Sequence, residues 1–166
     1  MQTQRGMTLI ELMITILIVA VIGGYAVPNY LSFNRNKAIE AYADKLSDNI
    51  KLAQSEAAAL HQSVTVCARS ANNGLSCDSG NNWSNGYLVA SLNGGSIDTI
   101  LASQAAPSNG VTLMNPGQAP LVFNSNGSMG SSTGFTVYAP SCSGAHQITI
   151  NISAGGNISS SAAACS

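Results

Sequence analysis

Five residues stand out as able to do chemistry: the cysteines Cys67, Cys77, Cys142 and Cys165, and the carboxylate of Glu11, which sits inside an otherwise apolar run. An even cysteine count in loop-rich sequence suits disulfides formed in an oxidising compartment. No C-x-x-C or C-x-H spacing is present, so disulfides are expected rather than a metal site. Four cysteines allow three pairings; Cys67–Cys77 with Cys142–Cys165 is the simplest, because each closes a short local loop. Serine, histidine and aspartate all occur, but not as G-x-S-x-G, H-E-x-x-H or paired carboxylates. No Asp or Glu follows Asp98, which leaves the second half poor in general acids and bases. No enzymatic activity, cofactor or metal is expected.

The elements that carry these residues follow from charge and hydropathy. The run Met7–Val27, MTLIELMITILIVAVIGGYAV, holds 21 residues and one charge, Glu11. As a helix it would span about 31 Å, close to the roughly 30 Å of a bilayer core. It exceeds the apolar core of a secretory signal, and no small-residue cleavage site follows it. The polar stretch Met1–Gly6 contains Arg5, which favours a cytoplasmic N-terminus. A carboxylate in a membrane helix is costly and points to function. Thr8-Leu9-Ile10-Glu11 also fits a capping box, in which Glu11 serves a free N–H at the helix start.

The string Arg5-Gly6-Met7-Thr8-Leu9-Ile10-Glu11, followed by an apolar helix, resembles the class III signal of type IV pilins and pseudopilins. The resemblance implies cleavage by prepilin peptidase after Gly6 and methylation of the new N-terminus, Met7, where the family more often has Phe. It implies that Glu11 pairs with the N-terminal amine of a neighbouring subunit. The pairing is physically sound, since a carboxylate beside an ammonium costs less in an apolar setting than either alone. The family's helix-breaking proline matches Pro28. Pro28 removes a helix hydrogen bond, and Gly23 and Gly24 weaken the helix further, so these three residues mark where it would bend or melt on assembly.

Beyond Pro28 the pattern turns amphipathic. Ile39, Ala43, Leu46, Ile50, Ala53, Ala57, Leu60 and Val64 are spaced alternately four and three apart. The stripe could form a coiled coil, but its Ala and Val content and the β-type sequence after it favour a helix lying on a sheet. Lys37–Glu40 and Asp48–Lys51 read as i,i+3 ion pairs. From Ser63 onward short β-type runs alternate with Asn/Gly/Ser turns: Val64–Ala68, Tyr87–Leu92, Thr99–Ala102, Val111–Met114, Leu121–Phe123, Phe135–Tyr138 and Gln147–Ile152. The fold class is therefore α+β, a long N-terminal helix packed on an antiparallel β-rich head. The expected organisation is a cleaved leader over 1–6, a transmembrane and assembly helix over 7–28, an amphipathic helix over 29–63 and the head over 64–166.

Trp83-Ser84-Asn85-Gly86-Tyr87 and the Phe123-to-Gly127 turn resemble the GspH/FimT/FimU branch of minor pilins. The branch implies a minor pilin helping to initiate assembly at or near the pilus tip, or a GspH-like pseudopilin of a type II secretion system. Expected partners are other major and minor pilins, prepilin peptidase and the bacterial inner membrane, with the head in the periplasm before assembly and in a filament afterwards. FimT-like members take up DNA through a Gly-Arg-x-Arg segment, which would fall here at Gly156-Asn157-Ile158-Ser159, with the glycine present and both arginines absent. Only 8% of residues are charged and the net charge is −1. With little to neutralise phosphates, no nucleic-acid partner is expected.

Overall fold

The computed structural model describes residues 7–71, 74–80, 82–117, 119–140, 144 and 146–164, with backbone alone at 25–28. The chain divides into two compact units, Met1–Asn34 and Arg35–Ser166. One helix, α1 (Leu9–Leu60), contributes to both.

In the first unit α1 is apolar on every side. Its most apolar 18-residue window has a mean hydropathy of 2.3 and none of it is buried. Among the described residues it is the one helix long and apolar enough to cross a membrane. The element runs through Gly23, Gly24 and Pro28 without an interruption of its helical backbone. Proline removes one hydrogen bond, and the intact turns on either side carry the helix through.

In the second unit the rest of α1 is followed by eight strands: β1 (Ser63–Ala68), β2 (Gly86–Asn93), β3 (Ser96–Ala105), β4 (Thr112–Met114), β5 (Leu121–Phe123), β6 (Thr133–Tyr138), β7 (Gln147–Ile152) and β8 (Ile158–Ala163). They form two four-stranded sheets, ordered β3-β2-β1-β5 and β4-β6-β7-β8, and every pairing is antiparallel. The seven expected strands are all present, with ends shifted by up to three residues. β8 had no sequence signal. Its Ser/Ala-rich ISSSAA has low strand propensity and forms because it pairs in register with β7, Gln147 opposite Ala163 through Ile152 opposite Ile158.

One core joins α1 to both sheets. Ile39, Ala43, Leu46, Ile50, Ala53 and Ala57 are all buried, together with Val64, Val66, Leu121 and Phe123 of the first sheet and Phe135, Val137, Ile150 and Ile152 of the second. The stripe therefore serves the chain's own sheets, as expected. Its last two positions behave differently. Leu60 ends the helix 45% exposed, and Val64 is buried as part of β1. The helix stops between them because His61 turns left-handed (φ 52°), with its Nδ1 lying 2.7 Å from the Ala58 carbonyl.

Trp83 packs edge-on against Phe135, with ring centroids 4.8 Å apart, and anchors the turn Trp83–Asn85 that leads into β2. Gly86 follows at φ 88°, where a Cβ would overlap the Gln104–Ala105 backbone of β3. The Trp-x-x-Gly spacing thus records a close strand approach.

Replacing Leu46 with Ala should cost about 2–5 kcal/mol by opening a cavity under both sheets. The same change at Leu60 should cost less than about 1 kcal/mol. Urea unfolding of the detergent-solubilised chain, followed by the fluorescence of its single tryptophan, would measure both.

Candidate assembly site

At the start of α1 the Thr8 hydroxyl oxygen accepts the Glu11 backbone N–H at 3.3 Å, and the Thr8 carbonyl accepts the Leu12 N–H at 3.1 Å. This is the Thr half of the expected capping box. The reciprocal half is not made: among the described residues no group pairs with the Glu11 carboxylate. Capping thus accounts for the Glu11 backbone and leaves its charge available. The Thr15 hydroxyl donates to the Leu12 carbonyl at 2.8 Å, which satisfies it within the helix. The apolar surface around Glu11 is continuous, with Met7, Leu9, Ile10, Ile14 and Ile18 all about half exposed or more.

Met7 lies two residues before the first helical residue, Leu9, and Gly6 lies outside the described residues. At Gly23 and Gly24 a Cβ would meet nothing within 4 Å. No packing in their own unit requires glycine at either position, so their effect is on backbone freedom. The Pro28 side chain lies outside the described residues.

In the second unit Cys67 and Cys77 form a disulfide with Cα atoms 5.5 Å apart. It ties β1 to a loop that is also held by Ser70 N–H to Ser76 O at 2.9 Å and Asp78 N–H to Ala68 O at 2.8 Å. Cys142 and Cys165 lie outside the described residues.

The polar contacts that seat α1 on the head had no clear sequence signal. The Asn49 amide donates to the Tyr87 hydroxyl at 2.9 Å, and the Tyr42 and Tyr87 rings meet edge to face with centroids 6.2 Å apart. The Gln54 amide donates to the Gly127 carbonyl at 3.1 Å. Gly156 packs against the same pair, where a Cβ would overlap the Gln54 amide and come within 2.8 Å of the Gly127 carbonyl. The retained glycine of Gly156-Asn157-Ile158-Ser159 therefore has a packing reason independent of any ligand. Lys37 pairs with Glu40 at 2.6 Å and Lys51 with Asp48 at 3.2 Å, the two expected i,i+3 pairs.

A family model described as "Type II transport protein GspH" matches residues 42–156, and one described as "Prokaryotic N-terminal methylation motif" matches residues 1–27. A search of curated proteins finds no match. Two crystal structures of the Pseudomonas aeruginosa type IV minor pilin FimU share the fold. One, in space group P21, has a TM-score of 0.59 at 19% identity and covers 76% of this chain and 90% of that one. The other, in space group P65, has a TM-score of 0.57 at 19% identity, with 74% and 91% covered.

Burial pushes the Tyr87 hydroxyl up from 10.0 to about 12, against the lowering effect of the Asn49 hydrogen bond, and burial raises Tyr42 further. Both rings are held protonated in the folded state. Their contribution is complete below pH 10 and is lost as the pH rises from 10 toward 12, where the unfolded chain ionises first. Unfolding midpoints across that range should fall, and Tyr87→Phe should lessen the fall. Reduction of Cys67–Cys77 should lower head stability by about 2–4 kcal/mol, read as a shift in the urea midpoint.

Proposed function

The chain belongs to the GspH family, whose members are structural subunits of the pilin type and not enzymes, and from that premise we propose that it is a minor type IV pilin that helps to initiate pilus assembly at or near the tip. The observation that carries this reading is the helix start: an all-round apolar helix in which, among the described residues, no group pairs with the Glu11 carboxylate, four residues after Met7. In this reading prepilin peptidase removes residues 1–6 after Gly6 and methylates Met7. Residues 7–28 hold the chain in the inner membrane, with the head on the periplasmic side, until it enters a filament.

There the Glu11 carboxylate neutralises the Met7 ammonium of a neighbouring subunit. In a core built from apolar helices an unpaired charge is strongly disfavoured, so the pair fixes the register between subunits. Gly23, Gly24 and Pro28 are the weakest point of α1. Melting there would let the residues before and after adjust separately. The remaining head disulfide would be Cys142–Cys165.

Likeness to FimU in fold supports the pilus reading. The family description supports a second one, a pseudopilin of a type II secretion system. DNA uptake is disfavoured by the missing arginines at Asn157 and Ser159, since phosphate contacts depend on such side chains.

Gly6→Leu should leave the full-length precursor in the membrane, seen as slower migration and an unmethylated terminus. Mature-sized protein in that variant would refute the leader assignment. Glu11→Ala should be processed and inserted normally yet be lost from sheared filaments. Deletion of the gene, scored for surface pili and for protein secretion in one strain set, separates the two readings: lost pili support the minor pilin, whereas intact pili with failed secretion support the pseudopilin.

A further inference from the structure

Four strands end the two sheets: β3 and β5 in the first, β4 and β8 in the second. A sheet edge presents unpaired main-chain N–H and C=O groups, and folded proteins blunt such edges with shortness, charge or bulges. Three of the four follow that rule. β4 and β5 have three residues each. β3 has ten, but it carries Asp98, and its pairing with β2 shifts register twice, between Val89 and Ala90 and between Ala90 and Leu92.

β8 has none of these protections. Its six residues include no charge and no proline, and its register with β7 runs without a shift. Ser159 through Ala163 are all exposed. Ser160 and Ala162 stand opposite Ile150 and Ile148 on the sheet face that turns toward α1. Because these two side chains are small, they leave a groove of about 150 Å³ lined by Ile148, Ile150, Ala162 and, on α1, Ala43, Asp44 and Ser47. Asp44 is its one charged lining residue.

We propose that β8 is a docking edge, where an extended segment of a different pilin subunit adds as a fifth strand to the sheet β4-β6-β7-β8. The proposal rests on the pilin reading above. The open row of backbone groups selects an extended chain. The groove selects an apolar side chain at alternate positions of that chain, set against the partly exposed Ile148 and the small Ala162. Asp44 selects a Lys or Arg flanking it. A different subunit is favoured over a second copy, because β8 paired with itself would be a two-fold contact that closes into a dimer, whereas filaments propagate through head-to-tail contacts.

The test uses the full chain in piliated cells, with the photo-crosslinker p-benzoylphenylalanine in place of Ser161. Light should join it to another chain that itself begins with a methylated N-terminal residue, identified by mass spectrometry. Asp44→Lys, at an exposed helix position, and Ser160→Lys, on the strand, should each cut the adduct about tenfold, equivalent to about 1.4 kcal/mol. Neither should alter processing, and Asp44→Lys should not alter the unfolding midpoint of the head. The proposal is overturned by an adduct between two copies of this chain, by an adduct indifferent to Asp44→Lys, or by no adduct in normally assembled filaments. Glu11→Ala run in parallel separates the two levels. If it assembles normally the pilin reading itself has failed, whereas if it is excluded from filaments while the β8 variants change nothing, only the docking edge has failed.

Discussion

Two sheets that share no strand pairing meet in one core, along a line of side chains from Ile39 to Ala57 on α1. Each sheet turns an apolar face toward that line, and neither four-stranded sheet could bury it alone. The alternation of large and small residues along the line matters. Ile39, Leu46 and Ile50 fill space between the sheets, while Ala43, Ala53 and Ala57 let backbone approach closely. Close approach is what places Gln54 within reach of the Gly127 carbonyl and leaves no room for a side chain at Gly156. A turn in the first sheet's continuation and a turn in the second thereby converge on a single glutamine.

The same helix faces a different demand in its first unit. There every residue from Met7 to Gly24 is exposed, and only an apolar surrounding would relieve that exposure. Its polar side chains are correspondingly few. The Thr15 hydroxyl donates to the Leu12 carbonyl, and the Thr8 hydroxyl oxygen accepts the Glu11 N–H, so both hydroxyls bond to the helix backbone. Glu11 is the exception: among the described residues its carboxylate has no partner, whereas both threonine hydroxyls bond to the helix backbone. A capping role alone would have drawn the carboxylate back to the Thr8 N–H, a bond the helix start does not make.

How far the sequence could be read depended on whether a signal was periodic or pairwise. The helical stripe, the alternating Gln147–Ile152 strand and the Lys37–Glu40 and Asp48–Lys51 pairs were legible, because each is set by spacing within one element. Even there period outran structure: Val64 continues the helical spacing yet belongs to β1, since His61 reverses the chain in between. What spacing could not supply was partnership across elements. Tyr42, Asn49 and Tyr87 come together from positions far apart in sequence, and Gln54, Gly127 and Gly156 likewise. β8 is the extreme case. Nothing in ISSSAA favours a strand, and its conformation is imposed by the neighbouring β7. The Cys67–Cys77 bridge was legible as the shorter loop, and the geometry of β1 and its following turn supplies the fit.

Charge is the resource this head lacks. With no Lys, Arg, Asp or Glu after Asp98, the second sheet cannot use ionic steering or like-charge repulsion to choose what it touches. Hydroxyls and amides keep such a surface soluble, but they discriminate poorly between neighbours. Apart from Asp44 on α1, selectivity must then come from shape and from the backbone itself, which is directional and unforgiving of register. A neutral surface also lets subunits approach without electrostatic penalty, an advantage where many copies crowd into one filament and a liability wherever a strand edge is left open. That tension bears most heavily on the sheet that carries β8, because it has neither charge nor irregularity with which to refuse a wrong partner.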